Sequence, residues 1–185
     1  SIETIKRLVL SRGKVRVVEM ENGSVAERAG GSVSWRNNNP GNLKFEFVGS
    51  ADKTVKTART RERAVKDAKT FYQGVVDLDQ WGNAVFESYE AGRAAKIRLL
   101  EKKHGAKTVE QMLLSYSTAD YTGGTHHQAQ ADFIFRQADR SGLNLRGKTI
   151  HQMDGAELAA LADGIKGFEG WKVGETRQLS AGEHA

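Results

Sequence analysis

The stretch DGAELAALADGIKGFEGW, residues 154–171, predicts an amphipathic helix with a carboxylate at its end. Asp154 is a favourable N-cap residue, and Glu157 three positions later completes a capping box. At about 100° per residue, the apolar side chains fall within one arc of roughly 120°: Leu158, Leu161, Ala162, Ile165 and Phe168. Glu169 falls inside the same arc. The pattern therefore places Glu169 on the apolar face of the last predicted helix.

Two interpretations of Glu169 stay open at this point. A carboxylate held against Ile165 and Phe168, with Trp171 beside it, is partly desolvated, and desolvation raises its pKa. A raised pKa is what a general acid needs near neutral pH, as when a glycoside hydrolase protonates a leaving oxygen. In the other interpretation, Glu169 lies at a frayed helix end and turns to water.

The composition is that of a soluble globular protein of 185 residues, with 38% hydrophobic and 28% charged residues. We expect a single domain over residues 1–185 and a monomer. The chain contains no cysteine, which excludes disulfides, thiolate catalysis and cysteine-based zinc sites. Because no apolar run reaches roughly 20 residues, we expect no membrane insertion. The first residue is Ser1 rather than Met, so we expect the C-terminal part of a longer protein.

The order of elements predicts an α+β fold that is mainly α. Residues 14–36 alternate in polarity around Asn22-Gly23, a strong hairpin signal, and predict a small N-terminal β-ribbon. Helical patterns follow in a separate block; they cover residues 88–105, 108–116, 128–141 and 154–169. The sequence thus favours a ribbon followed by a helical bundle, with segregated elements.

Much of the net charge of +5 comes from seven Lys and Arg residues between Lys53 and Lys69. We interpret them as a solvated basic face on an insertion around 48–82, of strand or helix. A basic surface suits a polyanion such as the bacterial wall. No aromatic residue interrupts the stretch, which argues against a platform for single-stranded nucleic acid. We expect no nucleic-acid partner.

Four asparagines surround the single proline in SWRNNNPGNLKF, residues 34–45: Asn37, Asn38, Asn39 and Asn42. Asparagine tolerates left-handed backbone and bonds its own chain, so a structural turn accounts for one or two of them. Four exceed the need of a turn. Side-chain amides also suit sugar hydroxyls and N-acetyl groups, which makes Asn38, Asn39 and Asn42 candidate substrate-binding residues.

Four segments together resemble one lysozyme-like family: SWRNNNPGNLKF, then GNAVFESYEAG (82–92), YSTADYTGG (116–124) and KGFEGWKVGE (166–175). Its members occur as phage virion muramidases and as C-terminal domains of antibacterial type VI secretion effectors. The similarity covers roughly residues 28–175, and the pair RNNNPGN and EGW carries most of it. The longer basic segment between Phe47 and Trp81 departs from the short members of the family.

The resemblance implies a lysozyme-like fold that cleaves the glycan strand of peptidoglycan. It points to Glu169 as the acid, with the RNNNPGN loop and the ADY segment, which contains Tyr121, lining the cleft. It also implies delivery to the periplasm of target bacteria and an immunity protein as a partner.

A glycosidase usually needs a second group, about 5–5.5 Å from the acid for retention or about 6.5–9.5 Å for inversion. The candidates are Asp120 in the polar link, Glu90 in a first helical turn, and three ribbon glutamates: Glu19, Glu21 and Glu27. Glu90 also has a structural explanation, since acids are favoured in a first turn. If no partner lies close, a lytic transglycosylase with a single acid is the alternative.

Aromatic and histidine residues complete the set of candidates. Tyr121 and Trp171 are predicted sugar-stacking residues, whereas the spacing of Tyr116 favours core packing. His126 and His127 lack an HExxH pattern, so we interpret them as the start of a helix and expect neither a metal nor a cofactor.

The sequence therefore predicts a muramidase that hydrolyses the β-1,4 bond between N-acetylmuramic acid and N-acetylglucosamine. The competing hypothesis is a non-catalytic module that binds the wall or a nucleic acid through its basic face. A nuclease is less favoured, because a metal motif of paired acids and histidine is not evident.

Overall fold

The structure, a computed structural model, describes residues 3–116 and 124–180. The chain divides into two compact units, Ser1–Ala95 with Trp171–Ala185, and Lys96–Gly170. Every strand in the described ranges belongs to the first unit, while the described part of the second unit is helical. The fold is therefore mixed α and β with its strands gathered in one unit.

An antiparallel four-stranded sheet dominates the first unit. Its spatial order is β1-β2-β3-β6; the strands are β1 (Ile5–Arg12), β2 (Val15–Met20), β3 (Val25–Ala29) and β6 (Glu175–Leu179). The predicted ribbon is confirmed as β2 and β3, joined at Asn22-Gly23, where Gly23 has φ of 87°. Asn22 Oδ1 accepts hydrogen bonds from the backbone N–H and hydroxyl of Ser24. The two outer strands were not predicted.

The basic segment supplies a helix and a strand of the first unit. The unit also contains α1 (Val33–Arg36), α2 (Arg61–Phe71), β4 (Val75–Leu78), β5 (Ala84–Phe86) and the start of α3 (Tyr89–His104). Thr60 caps α2, since its side chain accepts a hydrogen bond from the backbone N–H of Arg63 at 3.2 Å. The insertion predicted as strand or helix thus contains both α2 and β4.

Within the first unit, hydrogen bonds join the asparagine loop (RNNNPGN, residues 36–42) to a buried pair of charged residues. Arg16 and Asp79 form an ion pair at 3.1 Å, and both side chains are completely buried. Asn37 bridges them, because its Oδ1 accepts from Arg16 Nε at 2.9 Å and its Nδ2 donates to Asp79 Oδ2 at 2.8 Å. Asn37 is therefore part of the scaffold.

The second unit contains the end of α3 and three further α-helices: α4 (Val109–Tyr116), α5 (Gly124–Arg140) and α6 (Gly155–Phe168). The predictions of α3, α4 and α6 are confirmed, including the capping box at Asp154. A second capping box joins Thr108 and Gln111 at the start of α4. The third predicted helix is also confirmed as α5, which begins at Gly124 rather than Gln128. The hydrophobic core of the second unit is formed by all four of these helices. It includes Leu100, Met112, Leu113, Ile134, Phe135, Leu161 and Ile165.

Two glycines let α6 lie close to α5. A Cβ atom added at Gly164 would come within 3.0 Å of Ile134, and one at Gly167 within 2.8 Å of Phe133. Because both approaches are shorter than ordinary carbon contacts, larger residues would push the end of α6 away from α5. The glycines therefore fix the position of the chain just before Glu169.

Candidate functional site

A pocket of about 650 Å³ lies entirely within the second unit. Side chains from α3, α4, α5 and the end of α6 line it; they are Lys96, Leu99, Lys103, His104, Leu113, Ser115, His126, Gln130, Phe168 and Glu169. The lining is apolar around Leu99, Leu113 and Phe168 and strongly polar elsewhere. A concave site with a few convergent polar groups is the usual form of a binding or active site.

Glu169 lies directly after the last residue of α6. Phe168 ends the helix, and Glu169 is the C-cap residue, with its backbone N–H donating to the Lys166 carbonyl at 3.2 Å. The prediction that the helix includes Glu169 is thus wrong by one residue, because the chain leaves helical geometry before Gly170, where φ is 85°. The residue as a whole is exposed, yet it lines the pocket.

The surroundings of Glu169 favour its neutral form. Burial by the pocket walls raises the pKa of the carboxyl group, and the charge of Lys96 opposes that rise without cancelling it. The two sequence interpretations therefore each hold in part: the residue is exposed at the helix end, while its carboxyl group is desolvated. A carboxyl group with a raised pKa is suited to donate a proton.

Lys96 is a charged residue that the sequence analysis missed. Only 6% of its surface is exposed, and burial lowers the pKa of its ammonium group, which Glu169 partly opposes. Lys96, Leu100 and His104 are spaced by four residues and so share one face of α3. Because Leu100 is fully buried, that spacing is the sequence signal that points Lys96 inward.

His104 is the second missed residue. Its Nδ1 lies 3.0 Å from the Lys107 ammonium nitrogen, and its pKa is lowered by burial and by Lys107, Lys103 and Lys96. An ammonium group only donates, so this contact assigns Nδ1 as the acceptor and Nε2 as the protonated nitrogen of a neutral ring.

The adjacent histidines lie in the first turn of α5, which confirms that they help to start this helix. His126 lines the pocket, and its Nε2 is 3.1 Å from the side-chain nitrogen of Gln130. Over residues 3–116 and 124–180, no group of three or more His, Cys, Asp or Glu side chains has the arrangement of a metal site.

The predicted asparagines belong to the first unit, and two of them are buried. Asn39 donates to the carbonyls of Leu43 and Ala84 and accepts from the Leu43 N–H, while Asn38 donates to the Phe86 carbonyl at 3.1 Å. Asn42 is exposed, and its φ of 52° is left-handed. These bonds give Asn38 and Asn39 a structural role, and their substrate-binding role stays a prediction.

Two of the remaining candidates, Glu90 and Trp171, belong to the first unit. Glu90 is exposed in the first turn of α3, and Trp171 packs against Tyr89 with ring centroids 5.4 Å apart; all three belong to the first unit. Asp120 and Tyr121 lie outside the described residues, so their predicted roles stay predictions.

The ribbon glutamates also belong to the first unit. Glu19 pairs with Arg7 at 3.0 Å and Glu27 with Arg177 at 3.7 Å. Glu21 is exposed directly after β2. Ordinary surface ion pairs therefore account for Glu19 and Glu27 in the sheet.

The chain matches no protein-family model, no curated protein and no solved structure. Among the described helices, none has the length and apolar character needed to cross a membrane. The chemistry of the pocket is therefore the basis for a functional proposal, together with the motif resemblance.

Proposed function

We propose that this protein is a muramidase that cleaves the β-1,4 bond between N-acetylmuramic acid and N-acetylglucosamine in peptidoglycan. The observation that carries the proposal is the carboxyl group of Glu169, which lines a 650 Å³ pocket and has a raised pKa because it is desolvated there. The RNNNPGN and EGW motifs, with their resemblance to lysozyme-like muramidases, support the same conclusion. We propose a lysozyme-like fold on the same grounds.

In the proposed reaction, Glu169 donates its proton to the glycosidic oxygen as the bond to the anomeric carbon breaks. The positive charge that develops on the sugar is neutralised when water attacks the anomeric carbon, and the proton that the water loses returns to the Glu169 carboxylate, which restores the acid. The apolar side chains of Leu99, Leu113 and Phe168 lower the local polarity and so favour the protonated form of Glu169. Among the described residues of the lining, Glu169 is the one carboxylic acid, and its pKa is raised.

A single acid also suits a lytic transglycosylase, which is the second candidate. Within the described ranges, Glu169 is the one carboxylate among the side chains that line the pocket. In that reaction, Glu169 first protonates the glycosidic oxygen as its bond to the anomeric carbon breaks. The Glu169 carboxylate then removes the proton of the C6 hydroxyl of N-acetylmuramic acid, and the hydroxyl oxygen attacks the anomeric carbon. The product is a 1,6-anhydro sugar, and water takes no part.

We further propose that the activity is antibacterial and acts in the periplasm of target bacteria, with an immunity protein as the partner in the producing cell. This part of the proposal rests on the resemblance to domains of type VI secretion effectors. It predicts that periplasmic expression lyses a cell that lacks the immunity protein, whereas cytoplasmic expression does not.

The first test is digestion of purified peptidoglycan, with the released fragments identified by mass spectrometry. We expect reducing muropeptides from the unmodified chain and none from Glu169→Gln. The matched control is Glu110→Gln, a change of another glutamate of the second unit that does not line the pocket, and it should retain activity. Circular dichroism of each variant verifies folding.

Each other outcome of the digestion points to a different conclusion. Anhydro ends from the unmodified chain identify a lytic transglycosylase. Equal cleavage by the unmodified chain and Glu169→Gln removes Glu169 from the mechanism. The absence of cleavage contradicts the enzyme proposal and favours the wall-binding module.

A further inference from the structure

The pocket contains more basic groups than its proposed chemistry requires. Two lysines and two histidines line it, against the single carboxylate of Glu169 in the described ranges. Protonation of a glycosidic oxygen needs one acid and no excess of positive charge. The excess therefore calls for a separate explanation.

The positive charge of Lys103 disfavours the protonated forms of two other basic groups in the lining. The charge of Lys103 lowers the pKa of Lys96 and of His104, in each case in addition to the larger effect of burial. Like charges held close together cost free energy in the empty protein, and a bound anion relieves that cost. Perturbed pKa values such as those of Lys96 and His104, in a concave site, are a feature of functional sites.

Lys103 is the member of this group with access to a ligand. Its side chain is exposed at the edge of the pocket, whereas Lys96 is 94% buried and already interacts with Glu169. No carboxylate in the described part of the chain forms an ion pair with Lys103. Its neighbour Lys102 is equally exposed on α3 but does not line the pocket.

We propose that Lys103 is a specificity-determining residue that binds a carboxylate of the substrate beside Glu169, so that the pocket selects anionic glycans over neutral ones. Lys96 adds positive charge from the pocket wall. This inference rests on the proposed function for the identity of the sugar. It adds the expectation that a neutral polymer such as chitin binds poorly.

Two sources within peptidoglycan supply such a carboxylate. One is the lactyl group of N-acetylmuramic acid in strands that have lost their peptide. The other is a carboxylate of the peptide itself, since an attached peptide converts the lactyl group into a neutral amide. The chemistry at Lys103 is the same, and the choice of probe separates the two sources.

The test measures binding of three small sugars that the enzyme has no bond to cleave. N-acetylmuramic acid carries the lactyl carboxylate, muramyl dipeptide carries a peptide carboxylate, and N-acetylglucosamine carries neither. Dissociation constants are obtained by NMR titration of the full chain, its Lys103→Gln variant and the matched Lys102→Gln variant. Because these sugars are not substrates, the binding result is independent of catalysis.

We expect Lys103→Gln to weaken binding of at least one of the two anionic sugars about two- to fivefold, as for a partly exposed ion pair. Lys102→Gln should leave both unchanged, and N-acetylglucosamine should bind all three proteins equally. The sugar that responds identifies the source of the carboxylate.

Four results would overturn the inference. They are equal effects of Lys103→Gln and Lys102→Gln, an equal effect of Lys103→Gln on the neutral sugar, no effect on any sugar, and no binding of either anionic sugar. Failure of the proposed function is a separate result, since it is detected as the absence of peptidoglycan cleavage. Selective binding without cleavage leaves a carboxylate-binding pocket in a non-catalytic protein.

Discussion

Lys96 and Glu169 line the same pocket, and the charge of each alters the pKa of the other. Burial raises the pKa of Glu169 and lowers that of Lys96, because desolvation disfavours the charged form of each group. The attraction between the two charges acts in the opposite direction. Lys96 therefore limits how far the pKa of Glu169 rises, which makes it a positioning residue for the proton donor.

Substitution of Lys96 with Met tests this relationship. We expect the pKa of Glu169 to rise, because its carboxylate loses a nearby positive charge while the pocket stays apolar. Glu169 must be protonated to act as an acid, so activity declines as the pH rises through its pKa. In Lys96→Met this decline should occur at higher pH. The measurements are kcat/KM against pH and a carboxyl ¹³C NMR titration of Glu169.

Lys102→Met is the matched control for Lys96→Met, since it removes a lysine from α3 without changing the pocket lining. Its profile should follow that of the unmodified chain. An unchanged pKa of Glu169 in Lys96→Met would contradict the assignment of Lys96. A decline at lower pH would contradict the sign of the effect.

Glu169→Gln should stabilise the fold at pH 8 while abolishing activity. The folded-state pKa of Glu169 is raised above its unfolded value, so the folded protein holds this proton more tightly than the unfolded chain. The resulting contribution to the free energy of unfolding is fully present below the unfolded pKa. That contribution is lost as the pH rises through the folded pKa. Gln has no charge to desolvate, so the variant should have the higher melting temperature at pH 8.

Differential scanning fluorimetry measures the melting temperatures of the variant and the unmodified chain. The difference between them should vanish at pH 3.5. A lower melting temperature at pH 8 would show that the charged carboxylate stabilises the fold.

The site shows where sequence reasoning succeeds and where it stops. The apolar periodicity of α6 and its capping box are local features, so they were predicted correctly and made Glu169 a candidate site residue. The end of α6 is set by the following Gly170 and was missed by one residue. Lys96 was missed because α3 is rich in charge on several faces, which hides its buried face.

The fold shows the same contrast between local and distant contacts. The turn at Asn22-Gly23 made the β2–β3 ribbon predictable, since both strands pair next to their own turn. β6 pairs with β3 across about 150 residues of sequence, and four of its five residues are exposed, so no polarity pattern indicates it. The buried asparagines resemble a binding loop in sequence, and only their bonds to distant carbonyls reveal a structural role.

The basic stretch from Lys53 to Lys69 contains arginines that form ion pairs and lysines that face solvent. The polarity of the sequence alone had indicated one solvated basic face. Arg61 pairs with Asp77, while Arg59 and Arg63 both pair with Asp67. Four lysines are exposed, and no carboxylate in the described ranges pairs with them; they are Lys53, Lys56, Lys66 and Lys69. We therefore expect the lysines to account for attraction to an anionic wall.

Two double variants with the same charge change test this expectation. Lys66→Gln with Lys69→Gln should reduce sedimentation with insoluble peptidoglycan at low salt. Arg61→Gln with Arg63→Gln should reduce it less and should instead lower stability, by about 0.2–1 kcal/mol for each exposed pair. Raising the salt from about 0.05 M to about 0.3 M should remove the difference, because surface charges are then screened. Equal losses from both double variants would indicate a response to net charge alone.

Asp79→Asn should be the most destabilising of the substitutions considered, because it leaves the buried guanidinium of Arg16 without its counter-ion. Removing one partner of a buried ion pair costs about 3–5 kcal/mol. Asp79 also accepts the backbone N–H groups of Trp81 and Asn83 and the side-chain amide of Asn37. The change therefore loosens the asparagine loop as well as the ion pair.

Urea unfolding measures the free energy of unfolding of each variant, with Asp139→Asn as the control for Asp79→Asn. Asp139 pairs with Arg146 at 2.8 Å on the surface, and its loss should cost much less than that of Asp79. Equal costs for the two variants would show that burial adds nothing to the Arg16–Asp79 pair.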